Sequence, residues 1–408
     1  MTDKSSNNKR NKKRNRETDV CKIENSQKRL TSEDNLFVKS LFCDTNDKDF
    51  CKNPQCNHLS FKENPQKLDI PIINKIETLN DLILLGNSFH CKRNLKFKEL
   101  NLRIICNIVP ALKELNMMVG IKDIKNQIIN QILYFIQGYN ENQICNTCID
   151  CLNKLPCPYN KNEMLHTIVT GPPGVGKTQF SKILGKIYKG LGVLKNGNFH
   201  EVKRSDLIGK WLGHTAVLTQ NAINEASGGI LFIDEAYSLG AMQHEDIFSK
   251  ECIDTLTYNL SDKRDFLCII AGYEHALDKC LFNVNNGLRR RFSFKYNFEK
   301  YKTDELLEIF ENKVYIDNWK LLYKEKNDIS MKTEIIELFK TNENNMHNHG
   351  GDMETLFFQC RIIHCRTIPT NNNKYILTND DLIKGFEFFK INRGYKENSD
   401  NSWKTMYI

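Results

Sequence analysis

A parallel α/β sheet covered by helices on both faces, followed by a smaller helical domain, is the fold this 408-residue sequence predicts. Three observations predict it. Short apolar segments at 165–169, 199–202, 230–233 and 266–271 alternate with helical stretches, the pattern of a parallel sheet. A glycine-rich turn follows the first segment and leads into a helix with Phe180, Ile183, Leu184 and Ile187 on one face. After Tyr301 the periodicity is helical, over 305–313, 332–340, 353–365 and 379–389.

The rest of the chain divides by composition. Residues 1–35 are rich in Asn, Lys and Ser and are expected to be a disordered basic tail. Residues 36–113 form an N-terminal region whose stretch 71–112 has no assignable fold. Ile121, Ile124, Ile128, Ile129, Ile132 and Leu133 recur at helical spacing. The large domain is expected over 114–300, with a Cys-rich insert at 145–157, the helical domain over 301–395 and a tail over 396–408.

The net charge of +8 resembles a nucleic-acid footprint until it is located. Residues 1–30 hold ten Lys or Arg and four Asp or Glu, which is +6 and leaves +2 for everything else. The folded body is close to neutral. The tail reads as a nuclear-localisation signal, a loose polyanion contact or a solvated arm. No apolar run approaches the roughly 18 residues a membrane span needs, and the N-terminus is not a secretory signal. The expectation is a soluble cytoplasmic protein without membrane contact, with a nuclear location and a nucleic-acid partner left open through the tail.

Gly171-Pro172-Pro173-Gly174-Val175-Gly176-Lys177-Thr178 matches the G-x-x-x-x-G-K-T phosphate-binding pattern. Glycines let the backbone curl so that N–H groups point at phosphate oxygens, and the following helix adds its positive end. Lys177 is expected on the β- and γ-phosphates of ATP and the Thr178 hydroxyl on Mg²⁺. The segment 230–233 delivers Asp234 and Glu235 at the carboxyl end of a strand, where parallel sheets bind ligands. Asp234 is expected to hold Mg²⁺ through water and Glu235 to act as general base on the attacking water.

These motifs, with Ala271-Gly272-Tyr273 and the run Asn285 to Phe292, resemble the AAA+ ATPases. Within them the chain is similar to the branch of red-type Rubisco activase and the stage V sporulation ATPase. The resemblance runs from about Glu114 to Asn392, is dense in the large domain and fades in the helical one. It implies an AAA+ P-loop core with a helical lid and ATP hydrolysis in a homo-oligomeric ring, a hexamer. It implies that Gly120 and Ile121, after Val119, lie near the adenine. Arg289 and Arg291 match arginines of which one acts on a neighbour's γ-phosphate, and Arg291 is the favoured finger. Trp211, Leu212 and Gly213 stand where relatives carry a pore loop that grips a polypeptide; the plain alternative is a Trp buried in the fold. Two positions depart from the wider pattern. Gly272-Tyr273 occupies the first-sensor position, as in this branch. Glu354 replaces the second-sensor arginine, with Arg361 two turns on as a substitute, which points a negative charge towards a phosphate.

Fifteen cysteines without an export signal read first as metal ligands. Cys145, Cys148, Cys151 and Cys157 suit tetrahedral Zn²⁺, with an Fe–S cluster and unliganded thiols as alternatives. Cys43, Cys51, Cys56 and His58 resemble a CCCH zinc finger and would make a small zinc module. Three readings follow. The first is a protein-remodelling motor on a polypeptide substrate, the second a helicase- or loader-type ATPase on nucleic acid, the third a nucleotide-dependent scaffold. The neutral body and the Trp-Leu-Gly loop favour the first.

Overall fold

The computed structural model describes residues 75–88, 96–97, 100–139, 164–211, 213–240, 246–366 and 374–393. Five strands form one parallel sheet: β1 (Thr167–Thr170), β2 (Phe199–Val202), β3 (Ile230–Ile233), β4 (Leu267–Gly272) and β5 (Phe294–Asn297). They lie in the order β2-β3-β4-β1-β5. Val169 of β1 sits beside Ala271 of β4 and Tyr296 of β5, which places β1 between those two strands. Every residue of β1, β3 and β4 is buried. That is why these segments read as continuous apolar runs rather than as alternations.

Alternate residues of each strand serve opposite cores. Val169, Ile230, Phe232, Ile269 and Ala271 join one cluster, and Ile168, Leu231, Ile233, Cys268 and Ile270 the other. The first face is covered by α4 (Lys177–Gly190), whose Phe180, Ile183, Leu184 and Ile187 are buried as their spacing predicts. The second is covered by α5 (His214–Glu225) and α6 (Ile247–Asp262).

The stretch left unassigned in the sequence contains two helices, α1 (Leu79–Asn87) and α2 (Leu102–Met117). Both pack into the core cluster of the sheet's first face, so the boundary expected at residue 113 runs through a helix. Thr78 and Asp81 form a capping box at the start of α1. Pro110 lies inside α2 and obscures it, since an internal proline costs a helix about 3 kcal/mol. The helix persists because Leu102, Ile105, Val109, Leu112 and Leu115 are all buried, each stabilising by about 1.5–3 kcal/mol. Gly86 is required where α1 crosses α2, because a Cβ there would stand 2.3 Å from Val109. Helix α3 (Lys122–Ile136) buries Ile124, Ile128, Ile129 and Ile132.

After β5 come α7 (Thr303–Ile316), α8 (Ile329–Thr341), α9 (Gly350–His364) and α10 (Asn379–Asn392), around a core of Phe310, Phe339, Phe357 and Phe386. A two-residue parallel pair, Lys320–Leu321 with Ile376–Leu377, joins them. Among the described residues no helix is long and apolar enough to cross a membrane.

His166, just before β1, is buried, and its Nδ1 accepts the Cys268 N–H at 3.0 Å. Burial pushes its pKa down to about 4. The unfolded chain takes up this proton below about 6.5, whereas the folded chain does so only near 4. Stability present above 6.5 is therefore lost as the pH falls through that window, by up to roughly 3 kcal/mol. We expect the urea midpoint to drop between pH 7 and 5 by more in the parent than in His166→Gln, which takes up no proton. An equal drop in both would contradict this.

Candidate active site

The loop between β1 and α4 is shaped by three glycines in left-handed or otherwise glycine-favoured backbone: Gly171 at φ 148°, Gly174 at 73° and Gly176 at 91°. Gly171 donates its N–H to the Gly272 carbonyl at the end of β4, 3.2 Å away. Gly174 meets the helical segment that follows β5. A Cβ on it would stand 1.8 Å from the Asn348 carbonyl oxygen, and its own carbonyl accepts the Gly350 N–H at 3.0 Å.

Lys177, at the first turn of α4, folds back so that Nζ donates to the carbonyls of Gly171 (2.9 Å) and Pro172 (2.6 Å). Burial pulls its ammonium below the ordinary lysine range, and the Asp234 and Glu235 carboxylates oppose that pull. A half-buried cation whose hydrogen bonds go to neutral carbonyls is placed to gain from an incoming anion.

Asp234 and Glu235 leave the end of β3 and face this lysine. With Thr178, Gln179, Tyr237 and Tyr273 they line a cavity of about 340 Å³. Glu235 adopts φ 48°, which is unfavourable for a residue with a side chain, and donates its N–H to Asp234 Oδ1 at 3.0 Å. Strain of this kind persists where the surroundings impose it, and such positions cluster at active sites. Burial, then the neighbouring Glu235 carboxylate, raises the Tyr237 phenol. Gly272 and Tyr273, where the sequence resemblance expects the first sensor, belong to the same wall, and the Tyr273 ring lies 5.9 Å from Lys177 Nζ.

A second cavity of about 310 Å³ meets the first at Gly174, Gly176 and Gln179. Met117, Met118, Val119, Ile309, Ile316 and Met353 give it apolar walls, and Tyr301 closes one side, its hydroxyl donating to the Val175 carbonyl at 2.9 Å. Of the adenine segment expected from the sequence, Val119 lines this cavity. Gly120 and Ile121 do not. Gly120 turns the chain at φ 67° beside Glu305, and Ile121, at φ 49°, packs on the core below. The apolar pair Met117-Met118 beside Val119 was the available signal for this wall.

Glu354 belongs to the second cavity and not to the one that holds Lys177 and Asp234. Its carboxylate is paired with Lys313 at 2.7 Å. The negative charge expected to point at a phosphate is therefore paired with a lysine and lines the neighbouring cavity. Arg361 does not take its place: it pairs with Asp317 at 3.6 Å and lies over the Phe357 ring.

The arginine run begins at the last residue of the short helix Asn286–Arg289. Arg289 pairs with Asp278 at 2.9 Å, and Arg291 Nε donates to the Ser261 hydroxyl. Neither lines the cavity of Lys177 in its own chain. Trp211 is 75% exposed, which removes burial in the fold as its role. It precedes Gly213, at φ 78°, and the start of α5, on a loop tied down by the Gly209 N–H to the Thr215 hydroxyl at 3.1 Å. Leu212 lies outside the described residues, as do Cys145, Cys148, Cys151, Cys157, Cys43, Cys51, Cys56 and His58. Among the described residues no group of three His, Cys, Asp or Glu is placed to hold a metal.

The arrangement fits a nucleoside triphosphate: a cradle of glycines that side chains would fill, a poised lysine, two carboxylates opposite, and an apolar chamber alongside. Comparisons with known proteins agree. The profile of the ATPase family associated with various cellular activities (AAA) matches residues 167–300. A cfxQ-like protein of Acanthamoeba polyphaga mimivirus is 38% identical over 365 residues, covering 87% of this chain and 84% of its own. Stage V sporulation protein K of Bacillus subtilis is 43% identical over 148 residues, 36% of this chain and 45% of that protein. The ESX-3 secretion system protein EccA3 of Mycobacterium tuberculosis is 46% identical over 145 residues, 35% of this chain and 23% of that protein. Similarity that spans both the nucleotide-site segment and most of a full-length relative makes this chain a member of the AAA ATPases, an enzyme that hydrolyses ATP, with relatives in the expected sporulation-protein branch.

Proposed function

We propose that the chain is a protein-remodelling motor that assembles into a ring, a hexamer, and turns ATP hydrolysis into movement of a polypeptide. In this reading the backbone amides of 174–178 and the Lys177 ammonium hold the β- and γ-phosphates. Thr178 and, through water, Asp234 would hold Mg²⁺, which neutralises charge on the phosphates. Glu235 takes a proton from the attacking water, and its unusual backbone aims the carboxylate into the cavity. Arg291, with Arg289 beside it, reaches a neighbour's nucleotide across the ring interface. That requires Arg291 to give up its bond to Ser261 or to use its terminal nitrogens.

The observation that carries the substrate class is the exposed Trp211. A rigid indole at the tip of an anchored loop packs against a peptide of any sequence. Its neighbours Lys210, Gly213 and His214 are exposed too, so the tip stands clear of the domain.

The test is ATP turnover with and without casein as an unfolded polypeptide. We expect casein to stimulate turnover severalfold. The ratio should fall to about one in Trp211→Ala and recover in Trp211→Phe. Unchanged stimulation in the alanine variant would sink the polypeptide reading.

A further inference from the structure

The second cavity has apolar walls suited to a base, yet one side is polar. Lys313 and Asn312 from α7 and Glu354 from α9 line it beside Gln179. Among the described residues Glu354 is the only carboxylate on that wall, and Lys313 pairs with it at 2.7 Å. A bare carboxylate next to a triphosphate would be repelled by it. Paired with an ammonium, it is tolerated, and its remaining lone pairs are free to accept hydrogen bonds.

Its position along α9 sets what it meets. Gly350, at the start of the helix, touches Gly174 of the phosphate loop. Glu354 stands just over one helical turn further on, about 5–6 Å along the axis. That is the reach of a sugar joined to a phosphate held at the loop. A base would lie beyond, between Met117 and Met118 at the end of α2 and Ile309 and Ile316 of α7. On the sugar, the groups that face a carboxylate are hydroxyl donors.

We infer that Glu354, oriented by Lys313, accepts hydrogen bonds from the ribose hydroxyls of the bound nucleotide and makes the site discriminate ribonucleotides from deoxyribonucleotides. This rests on the reading of the cleft as the nucleotide site. Glu354 acts here as a specificity residue and takes no part in the hydrolytic step.

The test is calorimetric titration of the full chain with ADP, 2′-deoxy-ADP and 3′-deoxy-ADP. A charge-assisted hydrogen bond to the exposed Glu354 side chain is expected to favour ADP over at least one deoxy analogue by roughly threefold or more. In Glu354→Ala the ratio should fall to about one, through loss of ADP affinity, while deoxy-ADP affinity stays within about twofold. Glu354→Gln, which keeps an acceptor oxygen without the charge, should give an intermediate ratio. Equal affinities in the parent, or an unchanged ratio in the alanine variant, would overturn the inference. So would an equal loss for all three nucleotides. A changed preference for ADP over inosine diphosphate with sugar discrimination intact would also overturn it, by moving the carboxylate to the base. The underlying reading fails separately: ADP binding that ignores Lys177→Ala refutes the nucleotide site itself, whereas Lys177-dependent binding without sugar discrimination refutes only the role of Glu354.

Discussion

Glu235→Gln is expected to slow ATP turnover by about 10²–10⁴-fold while leaving ATP bound, the range over which a positioned general base contributes. The amide keeps the size of the side chain and accepts no proton from water. The structure gives a reason to expect little collateral damage. Glu235 sits after β3 at φ 48°, and its N–H is held by Asp234, so the backbone that aims the side chain does not depend on its charge. One side effect is foreseeable. The carboxylates of Asp234 and Glu235 oppose the downward pull of burial on Lys177, and removing one leaves the ammonium with less support. Apparent ATP affinity therefore reports on two changes: loss of a negative charge near the γ-phosphate favours binding, and a less stable ammonium disfavours it. The first should prevail because triphosphate binding restores a partner to the lysine. Single-turnover hydrolysis with pre-bound ATP separates the chemical step from binding. A decline of less than about tenfold in that step would remove Glu235 from the role of base.

Much of this site was legible in the sequence because its parts are local. The strand, the glycine loop and the helix with Lys177 follow one another directly. Glycine spacing, strand burial and helix face all had to agree within some twenty-five residues. Asp234 and Glu235 were legible for the same reason, as the end of an apolar strand. What was not legible depends on contacts between distant segments. The wall of the second cavity draws on Met117, Tyr301, Ile309 and Met353, and no short window contains the pattern. Glu354 could be recognised as a substitution, but its charge is cancelled by a lysine forty-one residues earlier, which only the packing of α7 against α9 reveals. Helix α2 was hidden for a different reason: a local rule against internal proline was outweighed by burial of a whole helical face. The exposure of Trp211 was undecided for a related reason. An indole suits a core as well as a loop tip, and the sequence fixes neither until the neighbouring strands are placed.

Lys177→Ala is expected to weaken nucleotide binding by tenfold or more, since it removes at least one hydrogen bond to a charged partner, worth about 1.5–3 kcal/mol. The fold should survive. In the free chain Lys177 bonds only to the carbonyls of Gly171 and Pro172, while the loop is held independently by Gly171 to Gly272 and Gly350 to Gly174. The hydrophobic face of α4, led by Phe180 and Ile183, does not involve it. Loss of binding with unchanged thermal unfolding of the free protein would therefore be attributable to the missing ammonium. The decisive measurement is calorimetric titration of ATP with Mg²⁺ into parent and Lys177→Ala protein under identical conditions. A dissociation constant at least tenfold higher in the variant is the predicted result, and equal constants would contradict the placement of the triphosphate in this cleft.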